Sequence, residues 1–295
     1  MSTTTAPSKS LAEMIRSGPM VVAPGAYDCI TARLIEQAGY PAVYMTGAGT
    51  SAAHGLPDYG LVTMSEMVAN ARRITSCISV PLVSDSDTGY GNELNAYRTV
   101  QEFERAGVSG IHIEDQVFPK KCGHLDDKEL VSIEDYAAKI RAAAAARRSK
   151  DFLIIARTDA RAVAGFDEAI RRGNAAVEAG ADVVFFEAPQ TMEEVARVPQ
   201  LIKAPCLLNM VLKGKTPHVN LKDAEKMGYR ITILPGMLIS SIIGLCDKML
   251  ADVKATGELA QPYAQIGPGG VFARFDAAAW DERRTAYRVP KIGKP

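Results

Sequence analysis

Eight short apolar, β-rich runs recur along this 295-residue chain, and their spacing constrains the fold more than any other feature. They fall at 20–24, 42–46, 81–85, 110–114, 152–157, 183–187, 206–209 and 230–234. Segments with helical periodicity follow them, at 30–38, 65–76, 94–106, 133–148, 167–179, 192–202, 221–227 and 235–254. Gly39, Gly107, Gly180 and Gly228 stand where four of these helices should end. Glycine takes the left-handed conformation just past a helix C-terminus without steric penalty. Near-continuous apolar strands alternating with helices imply a parallel sheet covered by helices. Eight such units in about 250 residues have the count and size of a (β/α)8 TIM barrel. The expected organisation is a polar, disordered tail at 1–10, an α/β barrel catalytic domain at 11–256, and a C-terminal helical extension at 257–295. That extension, with helical spacing over 271–287, is expected to pack on the barrel or on a partner subunit.

Several runs end in polar residues: Thr46, Asp85, Glu114, Arg157, Glu187 and Asn209. Any one of them can be read as the cap of the following helix. Six together point to a site, because the chemistry of an α/β barrel lies at the carboxyl ends of its strands.

The segment 114–124 reads EDQVFPKKCGH. Cys122 stands beside Lys120, Lys121 and His124, and nearby positive charge stabilises a thiolate. Acids at a strand end followed by a basic cysteine loop suggest an active site with a mobile lid over 117–128. A second acidic segment, VSDSDTGYGN at 83–92, sets Asp85 and Asp87 two apart before glycines. Hard cations such as Mg2+ take one or two carboxylates and keep water and substrate oxygens for the rest of the shell. Asp58 and Glu114 are candidate outer acids for the same ion. The segment 45–56, MTGAGTSAAHGL, matches a dinucleotide fingerprint only loosely and reads better as a flexible loop offering N–H groups to a carboxylate. Arg157 suits a carboxylate through its planar fork. His112, inside a run, is not ranked as catalytic, and the basic turn at 213–217 is a candidate border of the site.

Lys and Arg together number 34, as do Asp and Glu, so no global field favours nucleic acid or an anionic membrane. The five cysteines are scattered and form no CxxC pair, which fits a reducing cytoplasm. Cys29, Cys77, Cys206 and Cys246 are expected to be small buried hydrophobes. No apolar run is long enough to span a bilayer.

Together the motifs MTGAG (45–49), SDSDTGYG (84–91), IHIEDQ (111–116), KKCGH (120–124), ARTDA (156–160), FEAP (186–189) and LNM (208–210) resemble those of the isocitrate lyase and phosphoenolpyruvate mutase superfamily. The similarity is closest to its methylisocitrate lyase and 2,3-dimethylmalate lyase-like members. The resemblance implies a barrel whose last helix is swapped between subunits of a dimer within a tetramer. It implies Mg2+, with Mn2+ as a substitute, at Asp85 and Asp87, with Asp58 and Glu114 acting mostly through water. It assigns catalysis to Cys122 with Lys120 and His124, and substrate contact to Thr46, Gly47, Ala48, Gly123, Arg157, Glu187 and Asn209. Ser86 departs from the commoner alanine, and the region after Pro235 departs more. The implied activity is cleavage of a 2-hydroxy di- or tricarboxylate, of the 2-methylisocitrate or 2-alkylmalate type, to a 2-oxo acid and a carboxylate. The alternatives are oxaloacetate hydrolysis or decarboxylation, phosphonate-forming mutase chemistry, and a metabolite-binding barrel without activity.

Overall fold

A computed structural model describes residues 10–123, 127–259 and 266–288. Eight strands appear inside or overlapping the expected runs: β1 (Val21–Ala26), β2 (Val43–Met45), β3 (Leu82–Asp85), β4 (Gly110–Glu114), β5 (Leu153–Thr158), β6 (Val183–Phe186), β7 (Cys206–Asn209) and β8 (Ile231–Leu234). All pairings are parallel and β8 returns to β1, so the sheet closes into a barrel.

The helices in chain order are α1 (Leu11–Ser17), α2 (Cys29–Gln37), α3 (Gly47–Ala53), α4 (Met64–Thr75), α5 (Glu93–Arg105), α6 (Ile133–Ala146), α7 (Ala160–Val163), α8 (Phe166–Glu178), α9 (Met192–Leu201), α10 (Leu221–Met227), α11 (Met237–Thr256), α12 (Pro268–Ala273) and α13 (Ala277–Ala286). Side-chain oxygens of Asp28, Thr63, Asn92, Ser132, Thr191 and Asn220 cap the N-termini of α2, α4, α5, α6, α9 and α10. Each satisfies N–H groups that have no partner within the helix. Gly39, Gly107, Gly180 and Gly228 all adopt positive φ, as the sequence predicts.

Three helices were not anticipated. In α1, Ser10 and Glu13 form a reciprocal capping box, and Leu11, Ala12 and Ile15 are buried. They join the barrel-interior cluster of Val21, Ala23, Leu153, Val183, Leu207 and Ile231, so α1 seals the floor of the barrel. Each fully buried Leu or Ile contributes roughly 1.5–3 kcal/mol. The second is α3, where a flexible loop is expected from the glycines. Thr46 caps it, its Oγ1 accepting from Gly49 N–H at 3.3 Å. The third is the single turn of α7 after Asp159.

Inward-facing residues alternate along the strands, as the pleat requires. Ala42 and Tyr44, Val83, Leu153 and Ile155, Val183 and Phe185, and Leu207 belong to the interior cluster. The next residue of the same parity is Thr46, Asp85, Arg157, Glu187 and Asn209 respectively. On β4 the same parity gives His112 and then Glu114. The polar strand ends are therefore the top layer of the barrel interior.

The chain divides into two compact units, with the boundary between Ser240 and Ser241. Beyond it, the continuous helix expected over 271–287 is two short ones, because Asp276 takes the left-handed conformation at φ 58°. No residue of α11, α12 or α13 is buried in the single chain. Cys246 on α11 is accordingly exposed, and Cys29 and Cys77 are only half-buried; of the four cysteines expected inside, Cys206 alone is buried. Among the described residues, no helix is long and apolar enough to cross a membrane.

Candidate active site

Strand register assembles the site. Asp85 pairs with His112 across β3 and β4, and Glu114 pairs with Arg157 across β4 and β5. Arg157 in turn stands opposite Phe185 of β6, and its guanidinium carbon lies 5.1 Å from the ring centre.

An acidic pole gathers at the β3 end. Asp85 Oδ1 accepts from Asp87 N–H at 2.9 Å, and Oδ2 accepts from Gly47 N–H at 3.2 Å. Gly47 therefore gives its donor to the protein's own carboxylate, and a Cβ there would lie 2.8 Å from Asp85 Cγ. Burial would raise the Asp85 pKa, but His112, Lys120 and Arg157 hold it near 2, so it is ionised at neutral pH. Asp87 goes the other way, up to about 6, because burial and its neighbours Asp85 and Asp58 outweigh Lys120. Lys120 is buried, with its Nζ 2.5 Å from Asp58 Oδ1 and 3.0 Å from Asp87 Oδ1. Burial works against its charge, yet the acids around it, Asp87 first, push its pKa well above the ordinary lysine value.

A cationic pole centres on Arg157. Its Nε and Nη2 donate to the two carboxylate oxygens of Asp159, at 2.9 and 3.2 Å. Nη1 lies 3.2 Å from Glu114 Oε2, and Nη2 lies 3.6 Å from Glu187 Oε2. Asn209 Nδ2 donates to both Glu187 oxygens, at 3.3 and 3.2 Å, leaving Asn209 Oδ1 buried without a hydrogen-bond partner. Gly123 presses on this cluster: an added Cβ would collide with Arg157 Nη2 and lie 2.8 Å from Glu187 Cδ.

Between the poles lies a cavity of about 200 Å3. Thr46, Ala48, Asp58, Asp85, Cys122, Gly123, Arg157, Glu187 and Asn209 all line it, which brings most of the sequence-predicted residues onto one wall. The apolar remainder of the wall includes Phe185, Val211, Pro235 and Ile239. Two larger hollows, of about 360 and 440 Å3, lie elsewhere and contain none of these acids, nor Arg157 or Cys122. The turn at 213–217 contributes nothing to the wall of the smaller cavity. His124 lies outside the described residues.

The sequence alone does not single out Tyr44 or Lys128, while His112, not ranked as catalytic, is a buried strand residue. Tyr44 lines the cavity, with its hydroxyl 2.8 Å from His112 Nε2. Burial above all drives His112 down to about 4, so the ring is neutral at pH 7. Lys128 belongs to a polar stretch whose sequence predicts a lid, yet it is buried and paired with Asp159. Its partner is not visible from the sequence around it; the alternation of inward residues on β2 would have exposed Tyr44.

The donor set bears on a metal. Asp58, Asp85, Asp87, Glu114, Asp159 and Glu187 are six carboxylates against the three cations Lys120, Lys128 and Arg157. If all are ionised, three negative charges are in excess, and an anionic ligand would add more. Both Glu114 oxygens are buried without a hydrogen-bond donor, and burial raises the Glu114 pKa well above the carboxylate range despite Arg157. Among the described residues no three acids converge as a ready cation cage. The unpartnered Glu114 oxygens and the excess of acid fit a hard ion held by one or two protein oxygens and otherwise by water, as Mg2+ prefers.

The closed parallel barrel, with acids and an arginine at the carboxyl ends of its strands and a thiol on the loop after β4, carries its polar groups where α/β-barrel enzymes carry their chemistry. The family model for phosphoenolpyruvate phosphomutase matches residues 11–254. The 2,3-dimethylmalate lyase of Eubacterium barkeri is 51% identical over 224 residues, covering 76% of this chain and 78% of that protein. The 2-methylisocitrate lyase of Aeropyrum pernix is 44% identical over 251 residues, covering 85% and 81%. Among solved structures, oxaloacetate acetylhydrolase in complex with 3,3-difluorooxalacetate superimposes with a TM-score of 0.91 at 35% identity, covering 95% of this chain and 96% of that one. The chain belongs to the phosphoenolpyruvate mutase/isocitrate lyase superfamily. Dependence on a metal, generally Mg2+, goes with this family, and the lyase relatives support carbon–carbon lyase activity for the chain.

Proposed function

We propose that this protein cleaves a carbon–carbon bond in a 2-hydroxy dicarboxylate or tricarboxylate, with 2-alkylmalates such as 2,3-dimethylmalate and 2-methylisocitrate as leading candidates. The products are a 2-oxo acid, pyruvate or glyoxylate, and a second carboxylate. The observation that carries this reading is that Cys122 shares one cavity wall with Asp85 and Arg157. A proton donor for a carbanion, an acid for a metal and a cation for a carboxylate are three of the groups a retro-aldol cleavage needs, the fourth being a base for the hydroxyl proton.

Asp85, Asp87 and Glu114 would hold Mg2+ or Mn2+, with Asp58 acting through water. The ion, when bound, would supply positive charge near the substrate's hydroxyl oxygen, whose proton passes to a base in the cavity. Arg157 and Asn209, with the Thr46–Ala48 turn, bind and orient the carboxylates. Tyr44 stays protonated, because burial and Asp85 raise its pKa well above 10, and so serves as a neutral hydrogen-bonding group beside the substrate. As the bond breaks, the Cys122 thiol delivers its proton to the departing carbanion.

A panel of substituted malates, 2-methylisocitrate and oxaloacetate, assayed with Mg2+ for released 2-oxo acid, tests the reading. Oxalate and acetate from oxaloacetate, with no 2-oxo acid from any hydroxy acid, would replace it with the hydrolase alternative. For the metal, excess EDTA is expected to abolish turnover, and Mg2+ or Mn2+ to restore it. Calorimetric Mn2+ binding should be present in the native protein and lost in Asp85→Ala. Full activity in EDTA is incompatible with the proposal.

We also propose that the protein is a homo-oligomer, a dimer of dimers with its C-terminal helices exchanged between subunits. In support, Val271 and Phe272 are exposed at 39% and 62%, and Ile243 and Leu250 of α11 at 54% and 70%. Such apolar surface is costly to leave in water. Sedimentation velocity at micromolar concentration should give a dimer or larger; a stable monomer contradicts it.

A further inference from the structure

We infer that Lys128 is a positioning residue that fixes Cys122 and Arg157 relative to each other. The inference rests on the lyase reading only for the role it gives Cys122. Lys128 sits in a polar stretch of sequence that reads as solvated, yet its side chain is 1% exposed. Burying an ammonium is expensive unless it is paired; one of its partners, Gly123, lines the cavity, and the other, Asp159, holds Arg157, which does too. Lys128 Nζ donates to the carbonyl oxygen of Gly123, the residue following Cys122. It also donates to Asp159 Oδ1 at 2.9 Å.

Asp159 is the hinge of the arrangement. The same carboxylate receives both Nε and Nη2 of Arg157, and its backbone N–H donates to Asp115 Oδ1 at 2.8 Å. Asp115 is itself held by Thr158 Oγ1 at 2.7 Å and by Arg172 Nη1 at 3.2 Å. A rigid anion at the end of β5 thus orients the substrate-binding guanidinium on one side and, through Lys128, the backbone beside the thiol on the other. Gly123 has no Cβ and can approach Arg157 and Glu187 closely, and Lys128 holds it there. Without the ammonium, the Gly123 carbonyl loses its donor and Asp159 keeps Arg157 alone. The thiol is then placed less accurately, and a misplacement of about 1 Å at a reacting group can lower a rate by roughly 10²-fold.

The test measures two things in Lys128→Met and Lys128→Gln. The first needs no substrate: the rate at which iodoacetamide alkylates Cys122, followed at that peptide by mass spectrometry. Lys128→Met should alkylate at least about fivefold faster than the native protein as the Gly123 segment loosens, and Lys128→Gln, which keeps a donor for the carbonyl but no charge, should fall between. The second is kinetic: kcat should fall by roughly 10²-fold in Lys128→Met while KM moves by less than about threefold, because Arg157 keeps its own pair with Asp159. Native alkylation and native kcat in a folded Lys128→Met overturn the inference and leave Lys128 a structural pin. Should the methionine variant not fold, native values of both readouts in Lys128→Gln overturn it equally. A shifted alkylation rate in a protein with no lyase activity refutes the lyase reading and leaves the positioning of Cys122 standing.

Discussion

Cys122→Ser is expected to lower kcat by roughly 10²-fold or more, the usual weight of a general acid, while KM stays within about threefold. The serine keeps nearly the same shape on the cavity wall, so carboxylate binding by Arg157 and Asn209 is little disturbed. It is the transfer to carbon that suffers, because an alcohol is a far weaker acid than a thiol. Alkylation of the thiol should inactivate the enzyme, and bound product should protect it. Steady-state kinetics on the substrate found in the panel decide the matter. A serine variant with near-native kcat would mean that Cys122 only shapes the wall, and would favour hydrolase or decarboxylase chemistry.

Arg157→Met should be the most damaging single change. Arg157 faces Asp159, Glu114 and Glu187, all at 1% exposure or less. Removing one partner of a buried ion pair costs about 3–5 kcal/mol, because the remaining charge is left without compensation. Activity should vanish together with carboxylate binding. The stability loss should itself depend on pH. In the variant, Glu114, whose pKa burial already raises, loses the Arg157 charge that opposes the rise, so the folded state holds a proton that the unfolded state has released. That contribution is present at low pH and is lost as pH rises, so the deficit in urea-unfolding free energy should be smaller near pH 5 than near pH 8. A variant within about 1 kcal/mol of the native protein at pH 8 would show that the ion-pair cluster contributes little.

The barrel was legible in the sequence because its strands carry their own signal. Each is a short apolar run whose burial is dictated by neighbours on both faces, and glycines mark the ends of four helices. The polar ends were legible for the same reason: Asp85, Glu114, Arg157, Glu187 and Asn209 interrupt runs that are otherwise apolar. What escaped depends on distant partners or on weak local propensity. The seven residues of α3 include two glycines, so helix there is stabilised by the Thr46 cap and by Asp85 rather than by intrinsic preference. Lys128 pairs with a residue 31 positions away, and nothing adjacent distinguishes it from the exposed lysines of the chain. The floor helix α1 did announce itself, through Ser10 and Glu13 at capping-box spacing, but it is short and adjoins a polar terminus.

That floor helix separates two jobs along one axis. Leu11, Ala12 and Ile15 complete an apolar plug with the first halves of the strands, while the charged groups occupy only the last residue or two. Folding is thus anchored at one end and chemistry is furnished at the other. Such a body can be refitted for a new acid by exchanging wall residues such as Val211, Pro235 and Ile239, with the foundation left untouched.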